Sequence, residues 1–186
     1  EVDGLTEEMS ARAGRIEGPL HVIAPFGFGR LRVAPVLARF GSDHPGLRPG
    51  LSLSEDPVSA MNDGLWDVLI HVGRLPDLRI TQRKLAPNRR FLVASRAYAE
   101  RFGLPTRPDE VSAHRVGVVR ENRADATLWP LTGPDGAETH LRVQPVFACN
   151  DGEVLRRWAL DGFGIVERSE WSVADDLSKG RLVRVL

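Results

Sequence analysis

Apolar residues along this chain come in two textures, short unbroken runs and stripes at helical spacing, and the two alternate. "LHVIA" (20–24) has the length and β-branched content of a strand. "PFGFG" (25–29) reads as a turn, after which Leu31, Val36, Leu37 and Phe40 mark a helix running to about Phe40. Pro35 has no N–H to give to the turn before it, so either the first turn is irregular or the regular helix starts there. "LSLS" (51–54) is a short strand, and Asp56–Pro57 supplies an N-cap and first helical residue for a short helix that turns Val58 and Met61 inwards and stops at Gly64. "DVLIHV" (67–72) is almost continuously apolar, as expected of a strand covered on both faces. The first half thus reads β-α-β-α-β, the pattern of an open α/β sheet.

The second half repeats that texture. "RITQRKLA" (79–86) and "RFLVAS" (90–95) are expected strands, and residues 96–114 hold two short helical pieces around a proline break. "VGVV" (116–119) is a strand, "RENRADAT" (120–127) a polar loop, and "HLRVQPVFA" (140–148) a longer strand with Pro145 at an edge or bend. "NDGEVLRRWALDGFGI" (150–165) predicts a helix capped by Asn150, with Glu153 completing a capping box and Val154, Leu155, Trp158 and Ala159 on one face. Gly162 suits the left-handed residue that stops it, and "GFGI" leads into an apolar strand. A helix at 170–180 and a strand at 182–186 finish two α/β units of similar size, with the switch near residue 95.

Composition narrows the function classes. The 186 residues carry 25 Lys+Arg and 25 Asp+Glu, a formal charge of zero, so this chain lacks the basic balance that grips DNA. No apolar run of about 18 residues is present to span a membrane. The single Cys149 excludes an internal disulfide, fits a cytoplasmic location, and reads as a small hydrophobe rather than a reactive thiol. The chain begins at Glu1, as an excised piece of a longer protein would.

Catalytic signals are missing. "GLSLS" lacks the last glycine of a nucleophile elbow, "GFGR" lacks the third glycine of a dinucleotide fingerprint, and "DPVSAMNDG" lacks calcium-loop spacing. The five histidines, His21, His44, His71, His114 and His140, are too dispersed for a metal motif. The expectation is a binding protein that is not an enzyme and needs no cofactor.

Four collinear segments then carry a resemblance: "GPLHVIAPFGFGRLRVAPVLARF", "LSLSEDPVSAMNDGLWDVLIHVGRLPD", "RFLVASRAY" and "NDGEVLRRWALDGFGI…EWSVADDLSKGRLVRVL". Together, from about Gly18 to Leu186, the chain resembles the effector-binding domain of a LysR-type transcriptional regulator. The resemblance implies two Rossmann-like α/β lobes joined by two crossover strands, as in type 2 periplasmic binding proteins, with a small-molecule effector between them. Residues 1–15 would end a linker helix, 16–94 with 181–186 would form lobe I, and 95–180 lobe II. The winged helix-turn-helix would precede Glu1, so DNA would be reached only through that missing part. The family also implies a homodimer, with tetramers in the longer protein, paired through helices around 30–40 and 151–161. A solute-binding protein of a transporter, with the same fold, is the competing reading.

The expected site follows from strand ends. In open α/β sheets, ligands sit beyond the carboxyl ends of the strands, where helices begin. Pro25, Phe26, Gly27, Phe28, Ser54 and His71 are the candidates in the first half, and Arg120, Asn150 and Glu167 in the second. Each has a plainer alternative: core packing for Phe28, a turn hydrogen bond for Ser54, a structural role for His71, a solvated loop for Arg120, capping for Asn150, and a simple ion pair for Glu167 or Arg168. Compared with the family, Gly27 replaces a common hydroxyl residue, His71 a common Arg, Arg96 a common Pro, and "VERSEW" an apolar run with proline. The expected effector is an organic acid, amino acid or aromatic metabolite. Glu167 favours a donor or cation, and Arg120 an acid.

Overall fold

A computed structural model of the chain describes residues 16–61, 64, 66–73, 75, 80–121, 125–133 and 135–186. The expected helical tail at 1–15, and parts of the loops at 74–79 and 120–127, lie outside the described residues. The chain divides into two compact units, one ending at His71 and one starting at Val72.

In the first unit, β1 (Gly18–Pro25) lies between β2 (Leu47–Ser54) and β3 (Val68–Leu69), all parallel. The expected turn at 25–29 is helical instead. Pro25 is extended (φ −60°, ψ 147°), and the chain enters a helical turn at Phe26–Phe28. A π-wound segment, Gly29–Val33, follows, and the regular helix α1 (Ala34–Asp43) comes after it. The Ala34 N–H reaches back to the Gly29 carbonyl, and Pro35 next to it has no N–H to offer. Phe28, Val33 and Leu37 pack with Val22 and Ala24. Leu31 and Val36, expected on the inner face, are exposed, because the π segment rotates the stripe. β3 is shorter than the apolar run predicted, and Val68 is exposed rather than covered on both faces. Asp56 caps the short helix α2 (Pro57–Ala60), with Pro57 at its first position.

The second unit holds a five-stranded sheet of β4 (Arg90–Ser95), β5 (Val116–Val119), β8 (Phe147–Cys149), β9 (Ile165–Ser169) and β10 (Leu182–Val185), ordered β10-β4-β9-β5-β8. β8, β5 and β9 run parallel, and β4 is antiparallel to both β9 and β10. The two expected crossover strands therefore both hydrogen-bond in this sheet. A separate hairpin pairs β6 (Leu128–Thr132) with β7 (Glu138–Arg142). The predicted long strand at 140–148 is thus split between β7 and β8, with Pro145 in the break. Residues 80–86, the described part of the strand expected at 79–86, form none and are almost wholly exposed, since no neighbouring strand supplies hydrogen-bond partners.

Two apolar layers sandwich this sheet. On one face, Val93, Val166 and Leu182 pack against Leu155 and Ala159 of α4 (Gly152–Leu160) and Val173 of α5 (Glu170–Ser178). On the other, Leu92, Ala94, Val116, Val118 and Ile165 meet Tyr98 of α3 (Arg96–Phe102), Val111 and Trp129. α4 stops as predicted, with Gly162 left-handed (φ 80°) just past its end. Among the described residues, no helix is long and apolar enough to cross a membrane.

Candidate functional site

Most of the expected residues end a strand or follow one closely, while Glu167 lies within β9 (Ile165–Ser169). In the first unit, Pro25 and Ser54 are register partners at the ends of β1 and β2. Phe26 and Gly27 begin the helical segment directly beyond β1, with Gly27 buried. Gly29 is required by close packing, since a Cβ there would strike Leu53 and come within 3.2 Å of the Ala24 Cβ. His71 lies two residues past β3 on the other side of β1; the intervening Ile70 N–H donates to the Ile23 carbonyl at 2.8 Å. Phe28 packs on the core and Ser54 Oγ accepts the Asp56 N–H at 3.1 Å, so both plainer alternatives are realised. Asp56 then accepts the Ser59 N–H at 3.2 Å, which fixes the strand-to-helix turn.

In the second unit, Arg120 follows β5 and donates its N–H to the Cys149 carbonyl at 2.9 Å. Asn150 follows β8 and is exposed. It does not cap the helix. Asp151 is the cap and accepts the Glu153 N–H at 2.9 Å, so α4 starts one residue later than the sequence pattern placed it. Glu153 falls at the second helical position, and its carboxylate turns to side chains rather than back to the cap: Ser172 Oγ donates to it at 2.6 Å.

β9 carries the least expected chemistry. All five residues of "IVERS" are buried, two of them charged. Alternation along the strand sends Glu167 to the face of Leu92 and Arg168 to the face of α4. Glu167, 7% exposed, pairs with Arg90 of β4 at 2.8 Å. Arg168, 5% exposed, lies over the first residue of α4, and a Cβ on Gly152 would collide with its guanidinium. Its ion pair to Glu153 is long, 3.6 Å, and its Nε has no hydrogen-bond partner among the described residues. Burial pushes both Glu167 and Glu121 above the ordinary glutamate value, and the cations Arg90 and Arg168 oppose that shift. Burial likewise lowers Arg168, against the pull of Glu121 and Glu153.

Sequence reasoning named Arg168 only as a partner for Glu167 and missed Glu121, Arg90 and Gly152. The available signal was the polar "ERS" ending a strand that starts apolar. The charges continue along α4, where Arg156 bridges Glu153 at 3.4 Å and the fully buried Asp176, which also accepts from Arg181 at 2.8 Å. An open cavity of about 470 Å³ at the far end of α4 is lined by Arg96, Arg156, Arg157 and Arg181. Three of those cations are already paired with Asp161, Asp175 or Asp176. Among the described residues, no group of three or more His, Cys, Asp or Glu could hold a metal ion.

Known proteins agree with this architecture. The LysR substrate binding domain family model matches residues 13–186. The HTH-type transcriptional regulator DmlR of Escherichia coli K12 is 32% identical over 186 residues, covering 100% of this chain and 60% of the relative. The HTH-type transcriptional activator TtdR of Escherichia coli strain 536 is 31% identical, covering 98% and 58%. The regulatory domain of CrgA, a LysR-type transcriptional regulator from Neisseria meningitidis, superposes with a TM-score of 0.78 at 27% identity, covering 92% of this chain and 82% of that one. The chain spans about three fifths of the length of these two curated relatives. Such relatives give no support to the transporter alternative. Family match, parallel-strand topology and polar strand ends lead to one conclusion: this chain belongs to the LysR substrate-binding domain family.

Proposed function

We propose that this chain is the ligand-sensing domain of a LysR-type transcriptional regulator, binding a small polar effector at the carboxyl ends of its parallel strands. The observation that carries the reading is the cluster of buried charges around Arg168, set at the N-terminus of α4 in a domain of this family. Burying charge is costly unless it is paired or used in recognition. Backbone N–H groups at a helix start and a buried guanidinium both favour an anionic group on the ligand.

The relatives support the rest. DmlR and TtdR are HTH-type regulators that extend beyond the part this chain covers. In our reading, DNA is bound by such a helix-turn-helix outside this chain, the regulator works in the cytoplasm as a homodimer or tetramer, and the domain performs no catalysis. Effector binding favours one arrangement of the domain over another. It can shift the balance between them by no more than its difference in affinity for the two arrangements.

A thermal-melt screen of the 186-residue chain against amino acids, organic acids, aromatic acids and sugars tests the reading. A ligand bound only by the folded state adds about 2.7 kcal/mol at a hundred times its dissociation constant, a clear shift for a domain of this size. A hit supports sensing; silence across every class would sink it.

A further inference from the structure

The open cavity at the far end of α4 lies wholly within the second unit, where three elements converge. Arg96 enters from the start of α3, Arg156 and Arg157 from α4, and Arg181 from the turn after α5. Those four cations face two lining carboxylates, Asp161 and Asp176, so the walls carry two positive charges in excess. Asp175 and Glu153 reach Arg181 and Arg156 from outside the lining, and each has a second cation of its own, Lys179 and Arg168.

Two of the four arginines have a structural task. Asp176 is wholly buried, and its oxygens are taken separately, Oδ2 by Arg156 at 2.6 Å and Oδ1 by Arg181 at 2.8 Å. Arg96 and Arg157 are not needed for it. Arg96 has no carboxylate partner among the described residues, and its Nε donates to the Gly180 carbonyl at 3.3 Å. Gly180, left-handed (φ 65°), keeps that place clear, since a Cβ there would stand 3.2 Å from an outer nitrogen of Arg96. Arg157 is largely exposed and donates through Nε to Asp161 at 3.0 Å, an i,i+4 pair of the kind worth little in water. Arg181 bonds its acids through Nε and one outer nitrogen. Outer guanidinium nitrogens from three elements thus border one opening with donors to spare.

Charge and shape select the occupant. A carboxylate is planar and takes a guanidinium fork along that plane. A phosphoryl group is tetrahedral and offers three oxygens, so it can accept donors arriving from three directions. At neutral pH a phosphate monoester carries about two negative charges, which matches the excess on the walls. The volume, about 470 Å³, is that of a small-molecule site.

We propose that this cavity is a second ligand site, separate from the strand ends, which takes a dianionic phosphoryl group, as free phosphate or as the phosphate monoester of a small metabolite, between Arg96, Arg157 and Arg181. The assignment does not depend on the sensing role proposed above.

Calorimetric titration of the 186-residue chain near neutral pH with inorganic phosphate, glycerol phosphate and glucose phosphate tests it, beside dimethyl phosphate (tetrahedral, singly charged) and succinate (doubly charged, planar groups). At least one of the first three is expected to bind at or below about 1 mM, and the last two about tenfold more weakly. Tighter binding of an ester than of inorganic phosphate supports a phosphorylated metabolite, and equal or weaker binding supports free phosphate. Arg96→Gln and Arg157→Gln are each expected to weaken binding about tenfold, and Arg101→Gln, on α3 but outside the cavity, to leave it unchanged. All three are expected to melt as the wild type does, because none strips a buried acid of its partner. Three results overturn the assignment: no phosphate bound by about 10 mM, succinate bound as tightly, or affinity that survives both cavity variants. Each leaves the strand-end reading standing.

Discussion

Asp176 shows how a single residue can hold two elements. It is fully buried in α5, yet Arg156 of α4 and Arg181 beyond α5 both donate to it, at 2.6 and 2.8 Å. Asp176→Ala leaves Arg156 only its 3.4 Å pair with Glu153 and is expected to cost about 3 kcal/mol, read as a lower urea midpoint with an unchanged slope. Glu121 and Glu167 act in the opposite sense. Both bind a proton more tightly folded than unfolded, because burial disfavours their charge. Their stabilising contribution is present below the ordinary glutamate value and is lost as pH rises through their raised folded values. Stability is therefore expected to fall with rising pH across that window, and to fall less in Glu121→Gln and Glu167→Gln. Urea melts at a series of pH values between roughly 4 and 7 check this. Asp125 and Asp175 work the other way. Hydrogen bonds from Thr127 and Lys179 hold them low, so their contribution is present above the ordinary aspartate value and is lost as pH falls below it.

At the scale of elements, the start of α4 matters most. Asn150, Asp151 and Gly152 are all plausible N-terminal residues by type, and the pattern N-x-x-E favoured Asn150. Tertiary structure chose Asp151, because Glu153 is drawn to Ser172 and Arg168 and so cannot complete a capping box. Asp151→Ala is expected to cost about 1 kcal/mol, and Asn150→Ala clearly less, in paired denaturation curves. The helix is otherwise held by its apolar face. Leu155 is wholly buried between Val93 and Val166, and Leu155→Ala is expected to cost about 2–5 kcal/mol. The helical segment after β1 shows the reverse priority. Its start at Phe26 was not legible, because two glycines and a proline in "PFGFG" look like a turn. Gly29 is there for close packing on Leu53 and Ala24, not for a bend.

At the scale of the whole molecule, formal charge is zero, so the chain by itself is expected not to retard duplex DNA at concentrations up to about 0.1 mM in a gel-shift assay. The alternating apolar runs and helical stripes determined the α/β class, most strand positions, both large helices of the second unit and the strand-end location of the candidate residues. These are local matters: period, length and capping are written in neighbouring residues. The sequence did not determine strand partners. The apolar run at 67–72 yields only the two-residue β3, residues 80–86 of the expected strand pair with no strand, and the 140–148 run divides between two sheets. Hydrogen-bond ladders depend on what lies alongside, which period and propensity do not encode. The site divides in the same way. Arg120 and Asn150 follow β5 and β8 as strand ends visible in the sequence placed them, whereas Glu167 lies within β9 rather than past its end. The pairing of Glu167 with Arg90, and the placing of Arg168 over Gly152, come from residues 77 and 16 positions apart (167 − 90 and 168 − 152). Only the packed sheet brings them together, and only burial in it makes their charges depend on one another, because water no longer screens them.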